Sequence, residues 1–255
     1  MAKVYIDAGH GGSDPGAVKY VVERDVNLVM ALACRDYLNA NGVSTKMSRT
    51  SNSTDTSINS MAREANSWGA DLVISIHNNA GGGDGFEVYH TVGGGRGKTL
   101  AQNIEAEVKK IGQNSRGLKT RRDTDGTDYY GMIRLTNAPA VICEGVFVDN
   151  AADVQIADTA AEQKAFGYAY AKGILKTLGI ADNGLPGASG SAATTGAFKV
   201  KVTIKDLYIR KGPGTKYATK GFIKPGVYTI VAMQNGWGRL KSGAGWIYLA
   251  YATKI

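Results

Sequence analysis

Three apolar runs in this chain end in a residue able to bind a metal or move a proton. Val4-Tyr5-Ile6-Asp7-Ala8 leads through Gly9 to His10, Leu72-Val73-Ile74-Ser75-Ile76 leads to His77, and Ala140-Val141-Ile142-Cys143 leads to Glu144. Glycines follow soon after each. The chain has only three histidines, and two of them occupy matching places. Imidazole is both a metal ligand and a proton carrier, and a carboxylate can serve as a general acid or base. One histidine in a glycine loop would read as a solvated side chain. Three matching placements point to one site.

The elements that must position these residues follow from the same runs. Each is short, continuous and apolar, which predicts a buried strand. Glycine and proline then stop the strand and allow the backbone close to a ligand. In a parallel sheet the carboxyl ends of the strands share one edge, where open α/β sheets bind ligands. Glu23 stands at the entry to a helix in which Leu28, Leu32 and Val29, Ala33 recur at helical spacing, closed by Gly42. An acid there suits the helix dipole, and it is also within the reading of a metal ligand.

The pattern continues with a strand at Val43 to Met47 and a helix marked by Ile58, Met61, Ala62 and Ala65. A strand at Gly85 to His90 and helices at Thr99 to Ile111 and Ala160 to Leu178 complete it. His90 is expected at a rim and Glu87 as a structural carboxylate with a local partner. The charged stretch from Ser115 to Asp128 reads as a solvated loop, or more sharply as one facing substrate. The expected fold class is α/β, a mostly parallel twisted sheet with helices on both faces, followed by a small all-β domain.

Four motifs in order, Ile6-Asp7-Ala8-Gly9-His10-Gly11-Gly12, Glu23-Arg24-Asp25-Val26-Asn27-Leu28, Ser75-Ile76-His77-Asn78-Asn79-Ala80 and Glu144-Gly145-Val146-Phe147, resemble the zinc-dependent N-acetylmuramoyl-L-alanine amidases of the Amidase_3 type. The resemblance spans about residues 1–180. It implies that His10, Glu23 and His77 bind Zn2+ and that Glu144 is the catalytic carboxylate. Two imidazoles and one carboxylate leave zinc an open position, as catalytic sites require. The substrate then implied is peptidoglycan, cut at the amide between N-acetylmuramic acid and L-alanine of the stem peptide. A zinc wall peptidase such as a carboxypeptidase is the rival enzyme reading. A basic nucleic-acid-binding protein is the non-enzymatic one.

Residues 181–197 are small and polar and read as a flexible linker. Beyond them, short alternating runs separated by turn residues predict a small all-β unit over 198–255. Leu207-Tyr208-Ile209-Arg210-Lys211-Gly212-Pro213-Gly214, Asn235-Gly236-Trp237-Gly238-Arg239-Leu240 and Gly245-Trp246-Ile247-Tyr248 resemble bacterial SH3-like wall-binding domains. Where that family usually carries an asparagine-valine pair before the arginine, this chain has Tyr208-Ile209. The expected wall contacts are Tyr208, Tyr217, Lys216 and Lys220. Trp246 is expected in the core.

Charge divides along the same line. Residues 198–255 hold eleven Lys or Arg against one acid, net +10, whereas residues 1–197 hold nineteen against twenty-one, net −2. Such a basic module suits anionic wall polymers. It lacks the aromatic and basic signatures of common nucleic-acid modules, which argues against nucleic acid as partner. No run is apolar for the eighteen or so residues that span a bilayer. Cys34 and Cys143 are too few for a disulfide framework and are expected as buried free thiols. No secretory signal is read at the N-terminus. The expectation is a phage lysin or autolysin made in the cytoplasm and acting on the wall after release by a pore or by lysis.

Overall fold

The structure, a computed structural model, describes residues 1–185, 197–215, 217–234 and 236–255. The chain divides into two units, Met1–Asp182 and Asn183–Ile255. Of the expected linker, residues 181–185 and 197 hold no helix or strand, and 186–196 lie outside the described residues, as does Lys216.

The first unit runs β1 (Lys3–Ala8), α1 (Glu23–Ala40), β2 (Ser44–Met47), α2 (Ile58–Trp68), β3 (Leu72–Asn79), β4 (Phe86–His90), α3 (Gly95–Lys110), β5 (Ser115–Lys119), α4 (Gly131–Arg134), β6 (Ala140–Phe147) and α5 (Ala160–Leu178). Its sheet has the order β2-β1-β3-β6-β4-β5. Four of the five pairings are parallel, and the exception is β4 against β6. β4 and β5 therefore run against the other four strands, and the sheet is mixed.

Alternation along β6 sorts the two faces. Gly145 approaches Met30 of α1 and Tyr170 of α5 so closely that an added Cβ would sit 3.1 Å from the tyrosine hydroxyl. Ile142, three residues before Gly145 and so on the other side of the strand, the side of Glu144, clusters with Met61 and Ala65 of α2 and Met132 and Ile133 of α4. One face thus carries the long helices α1 and α5. The other carries α2 and α4, of 11 and 4 residues. At the carboxyl edge of the sheet, beside the starts of α2 and α4, His77 and Glu144 are half-exposed. Cys143 faces the long helices, and both cysteines are free and buried, as expected.

Local signals place the helix ends. The Ser57 side chain accepts from the Ser60 amide at the start of α2, and Gly69 closes that helix in the left-handed conformation. Thr159 and Glu162 form the same kind of start for α5, with Gly179 at its end. Three expectations change. The third helix begins at Gly95, four residues before the apolar period starts at Thr99, because Gly94 and Gly95 with φ of 73° and 59° turn the chain into its first turn. Part of the charged run from Ser115 is the edge strand β5, whose polar residues suit an edge paired only to β4. His90 is buried rather than at a rim. Two residues from Val88, it shares that residue's side of β4, opposite Val141. Its Nδ1 meets the Thr91 carbonyl at 2.8 Å.

The second unit is all β: β7 (Phe198–Val202), β8 (Tyr208–Arg210), β9 (Thr219–Phe222), β10 (Gly226–Gln234), β11 (Trp237–Leu240), β12 (Trp246–Tyr248) and β13 (Ala252–Lys254). The order is β13-β7-β10-β11-β12-β8-β9, and every pairing is antiparallel. Val200, Val202, Leu207, Ile223, Ile230, Leu240 and Ile247 form its buried interior. Trp237 is buried with them, whereas Trp246, expected in the core, is only half-buried.

Candidate metal centre and catalytic carboxylate

β1 and β3 lie side by side and parallel, so His10, just past the end of β1, meets His77 near the end of β3. α1 starts at the same edge, and its first residue, Glu23, is set between them. Glu23 Oε1 lies 3.1 Å from His10 Nε2 and 3.2 Å from His77 Nδ1. The donor atoms of the three residues all lie within 4.8 Å of one another. Among the described residues no other group of three His, Cys, Asp or Glu side chains could hold a metal.

The backbone is shaped around these rings. His10 has φ 63°, the one non-glycine residue in left-handed conformation among those described. Such strain concentrates at functional sites. A Cβ on Gly9 would come within 2.2 Å of the His77 ring, and one on Gly16 within 2.6 Å of Glu23 Oε2. Neither position tolerates a side chain while the cluster keeps its shape.

A second layer fixes the three residues. Asp14 Oδ2 holds His10 Nδ1 at 2.7 Å, which leaves Nε2 facing the cluster. Glu23 Oε2 accepts from the Ala17 amide at 2.9 Å, and Oε1 from the Asn78 amide at 3.1 Å. Asn27, one turn after Glu23, donates to the Gly9 carbonyl and accepts from the Asn78 side chain. Arg49 is buried, and among the described residues its hydrogen bonds go to carbonyl and amide oxygens. It donates to the carbonyls of Ala8, Gly9 and Arg24, which flank His10 and Glu23. Carboxylate–histidine pairs and layers of this kind set the orientation of metal ligands.

The electrostatics follow. Burial alone would raise the Glu23 carboxyl, but the bonds to His10 and His77 hold it well below the usual range. The bond to Glu23 lifts His10 to about 9, against its burial. Burial would lower His77, yet Glu23 and the charge of Glu144 raise it. One carboxylate thus holds two imidazoles in the place where a cation would sit. The donor set fits zinc: a tetrahedral ion with bonds of ~2.0–2.1 Å separates its ligand atoms by roughly 3.3 Å, close to the two distances found here.

Glu144 sits across from His77 in the β3–β6 register and across from Glu87 in the β6–β4 register. The two acids differ sharply. Glu87 is bound by Arg116 at 2.5 Å and by Asn79 at 3.2 Å, the local partners its structural role requires. Glu144 is pushed up to about 7 by burial, with the charges of Glu23 and Glu87 adding to that and His77 opposing. It lines a cavity of about 480 Å³ together with His10, Glu23, His77, Tyr130 and Arg49.

All four residues expected at the chemical site therefore come together. Asp14, Asn27, Asn78 and Arg49 were not anticipated. Asp14 and Asn27 carry a signal, a polar side chain four residues after a candidate ligand. Arg49 carries none, since its partners lie far away in sequence. The described residues expected to contact the wall lie on or beside the paired strands β8 and β9. Tyr208 is half-buried and stacked on Phe222 at 4.3 Å, Tyr217 lies against Gly212, and Lys220 is exposed on β9.

Comparison with known proteins identifies the family. A family model described as N-acetylmuramoyl-L-alanine amidase matches residues 4–176. The chain is 37% identical over 188 residues to the N-acetylmuramoyl-L-alanine amidase CwlM of Bacillus licheniformis, covering 72% of this chain and 71% of that one. It is 35% identical over 212 residues to the sporulation-specific N-acetylmuramoyl-L-alanine amidase of Bacillus subtilis, covering 81% and 79%. The solved catalytic domain of the amidase CwlV from Bacillus (Paenibacillus) polymyxa superposes with TM-score 0.64 at 27% identity, over 71% of this chain and all of that domain.

Proposed function

The chain belongs to the N-acetylmuramoyl-L-alanine amidase family and hydrolyses peptidoglycan, and from that premise we propose that it works with one zinc ion held by His10, Glu23 and His77 and with Glu144 as the group that moves the proton. The observation that carries this reading is the convergence of the three donors within 4.8 Å at the sheet edge, beside the partly buried Glu144. Zinc bound there supplies a Lewis acid for the scissile carbonyl and lowers the pKa of water to ~7.

The chain's own residues do the rest. Asp14 and Arg49 keep His10 turned toward the ion, and the Asn27–Asn78 pair keeps Glu23 in place. Glu144 accepts the proton of the attacking water as its oxygen adds to the lactyl carbonyl carbon of N-acetylmuramic acid. It returns that proton to the nitrogen of L-alanine as the C–N bond breaks. The half-exposed carboxylate opens on the cavity, where such a substrate can reach it. Glu87 has no part in the transfer, being held by Arg116.

We read the second unit as an SH3-like module that retains the enzyme on the wall. Its small antiparallel sheet and its excess of cations over one acid support this. Digestion of purified wall, with and without a chelator, tests the enzymatic part. The expected products are free amino groups on L-alanine together with peptide-free glycan, formed only while zinc is present. Release of a terminal amino acid with the sugar–peptide bond intact, or full activity after metal is stripped to below a tenth of stoichiometry, would refute it.

A further inference from the structure

Strands β11, β12, β8 and β9 lie next to one another in the second unit. They and the turns beside them form a cleft of about 480 Å³ lined by Lys211, Lys220, Arg239, Lys241 and Trp246. All four cations are exposed. Arg239 and Trp246 are direct cross-strand partners and so share a face. Lys220 comes from the far edge strand, and Lys211 and Lys241 from the turns after β8 and β11. Residues far apart in sequence have thus been brought around one hollow. Asp206 is the only acidic side chain of the unit and does not line it.

We propose that this cleft is a binding site for a polyol phosphodiester, the chemistry of anionic wall polymers. Four like charges around a hollow repel one another, and a ligand carrying several negative charges offsets that repulsion. Lysine meets phosphate as a point charge and needs no planar, bidentate partner. The half-buried indole of Trp246 offers an apolar face for the CH groups of a polyol or sugar between phosphates. A ligand that alternates anion and apolar CH surface matches a hollow that alternates cation and ring. The stacked pair Tyr208–Phe222 and the ring of Tyr217 lie outside the cleft and are not part of this site.

The inference rests on reading the second unit as the wall-retaining part, and the experiment separates the two. Full-length protein is sedimented with intact Gram-positive wall and with the same wall stripped of its phosphodiester polymer by acid. Two triple variants are compared, each removing three charges: Lys211→Gln, Lys220→Gln, Lys241→Gln in the cleft, and Lys199→Gln, Lys201→Gln, Lys224→Gln outside it. Wild type should bind intact wall roughly tenfold or more tightly than stripped wall, with a salt slope about three units steeper than that of the cleft variant. The cleft variant should fall to the stripped-wall level on both walls. The outside variant should stay near wild type, and all three proteins should hydrolyse a soluble muropeptide equally.

Equal losses from the two triples would overturn the site, since net charge alone would then explain binding. Equal binding of wild type to both walls would overturn the ligand class while leaving wall retention intact. No binding to either wall would refute the wall-retaining reading itself. Isolated polyglycerol phosphate and duplex DNA serve as soluble competitors. If only DNA competes, and only DNA binding is lost in the cleft variant, the assignment to a wall polymer is wrong.

Discussion

The charged groups of the first unit that matter to function are few, sheltered and tied. Glu23 is buried, is met by two histidines and two backbone amides, and is held far from its ordinary pKa. Those around the cleft of the second unit are exposed, and the sequence of that unit holds eleven Lys or Arg against one acid. Lys211, Lys220, Arg239 and Lys241 stand in water around an open hollow. The difference reflects two tasks. A reacting bond needs donors fixed to a fraction of an ångström, which only a dense hydrogen-bonded shell supplies. Retention on a polymer needs long-range attraction and tolerance of register, which exposed lysines supply. Changes in the first unit should therefore act on chemistry and metal content, and changes in the second on retention alone.

The largest effect should come from the ligands. His77→Ala removes one of three donors and leaves Glu23 with a single imidazole. Metal analysis should find zinc well below stoichiometry, and hydrolysis should fall by on the order of a thousandfold or more. Stoichiometric zinc in this variant would remove His77 from the ligand set.

Glu144→Gln should come next. The amide keeps the shape and the hydrogen-bonding capacity but cannot shuttle a proton. Zinc content and melting temperature should stay near those of wild type, while kcat falls by roughly a hundred- to ten-thousandfold. Near-native turnover would end the proposed role. Loss of zinc would instead make Glu144 a ligand.

Asp14→Asn should be milder. Its carboxylate touches no substrate and acts only by turning His10, so zinc affinity should weaken by about ten- to a hundredfold. Excess zinc should restore most of the rate, a rescue that distinguishes a positioning residue from a proton carrier. Failure of added zinc to restore activity would place Asp14 in the chemistry itself.

Much of the first unit was legible because its punctuation is local. An apolar run followed by glycine fixes both the strand and the residue at its end, so His10, His77 and Glu144 could be read directly. Glu23 taken alone reads equally as a helix-dipole charge, and it reads as a ligand only through His10, His77 and the family resemblance; the structure sets it between the two histidines. Arg49 was invisible, because its acceptors at Ala8, Gly9 and Arg24 are set by the fold and not by spacing. The first turn of α3 was hidden behind glycines that ordinarily break helices. In the second unit the sequence revealed the excess of charge but not its place. Composition counts cations, whereas a cleft depends on which strands become neighbours. Trp246 was assigned to the core for the same reason, since period-2 alternation in three residues cannot tell an interior ring from one at a cleft wall.

The smallest effect is expected from removing the second unit altogether, assayed on a small soluble substrate. The first unit contains every group named at the chemical site, from His10 to Glu144. It is also closed at its end: Gly179 caps α5 in the left-handed conformation, and Tyr37 donates to Asp182 at 2.6 Å. Its interior is built around Tyr5, Phe86, Phe166 and Tyr170. A chain ending at Asp182 should therefore fold and bind zinc. It should cleave a soluble muropeptide with kcat/KM within about twofold of the full chain, as expected of a domain with its own core. On intact wall the same protein should lose retention, and its loss should deepen as wall concentration falls, because only encounter is affected. A severe loss on the soluble substrate, with zinc content and circular dichroism unchanged, would mean that the second unit helps to build the active site, and the division of labour between the two kinds of charge would fail.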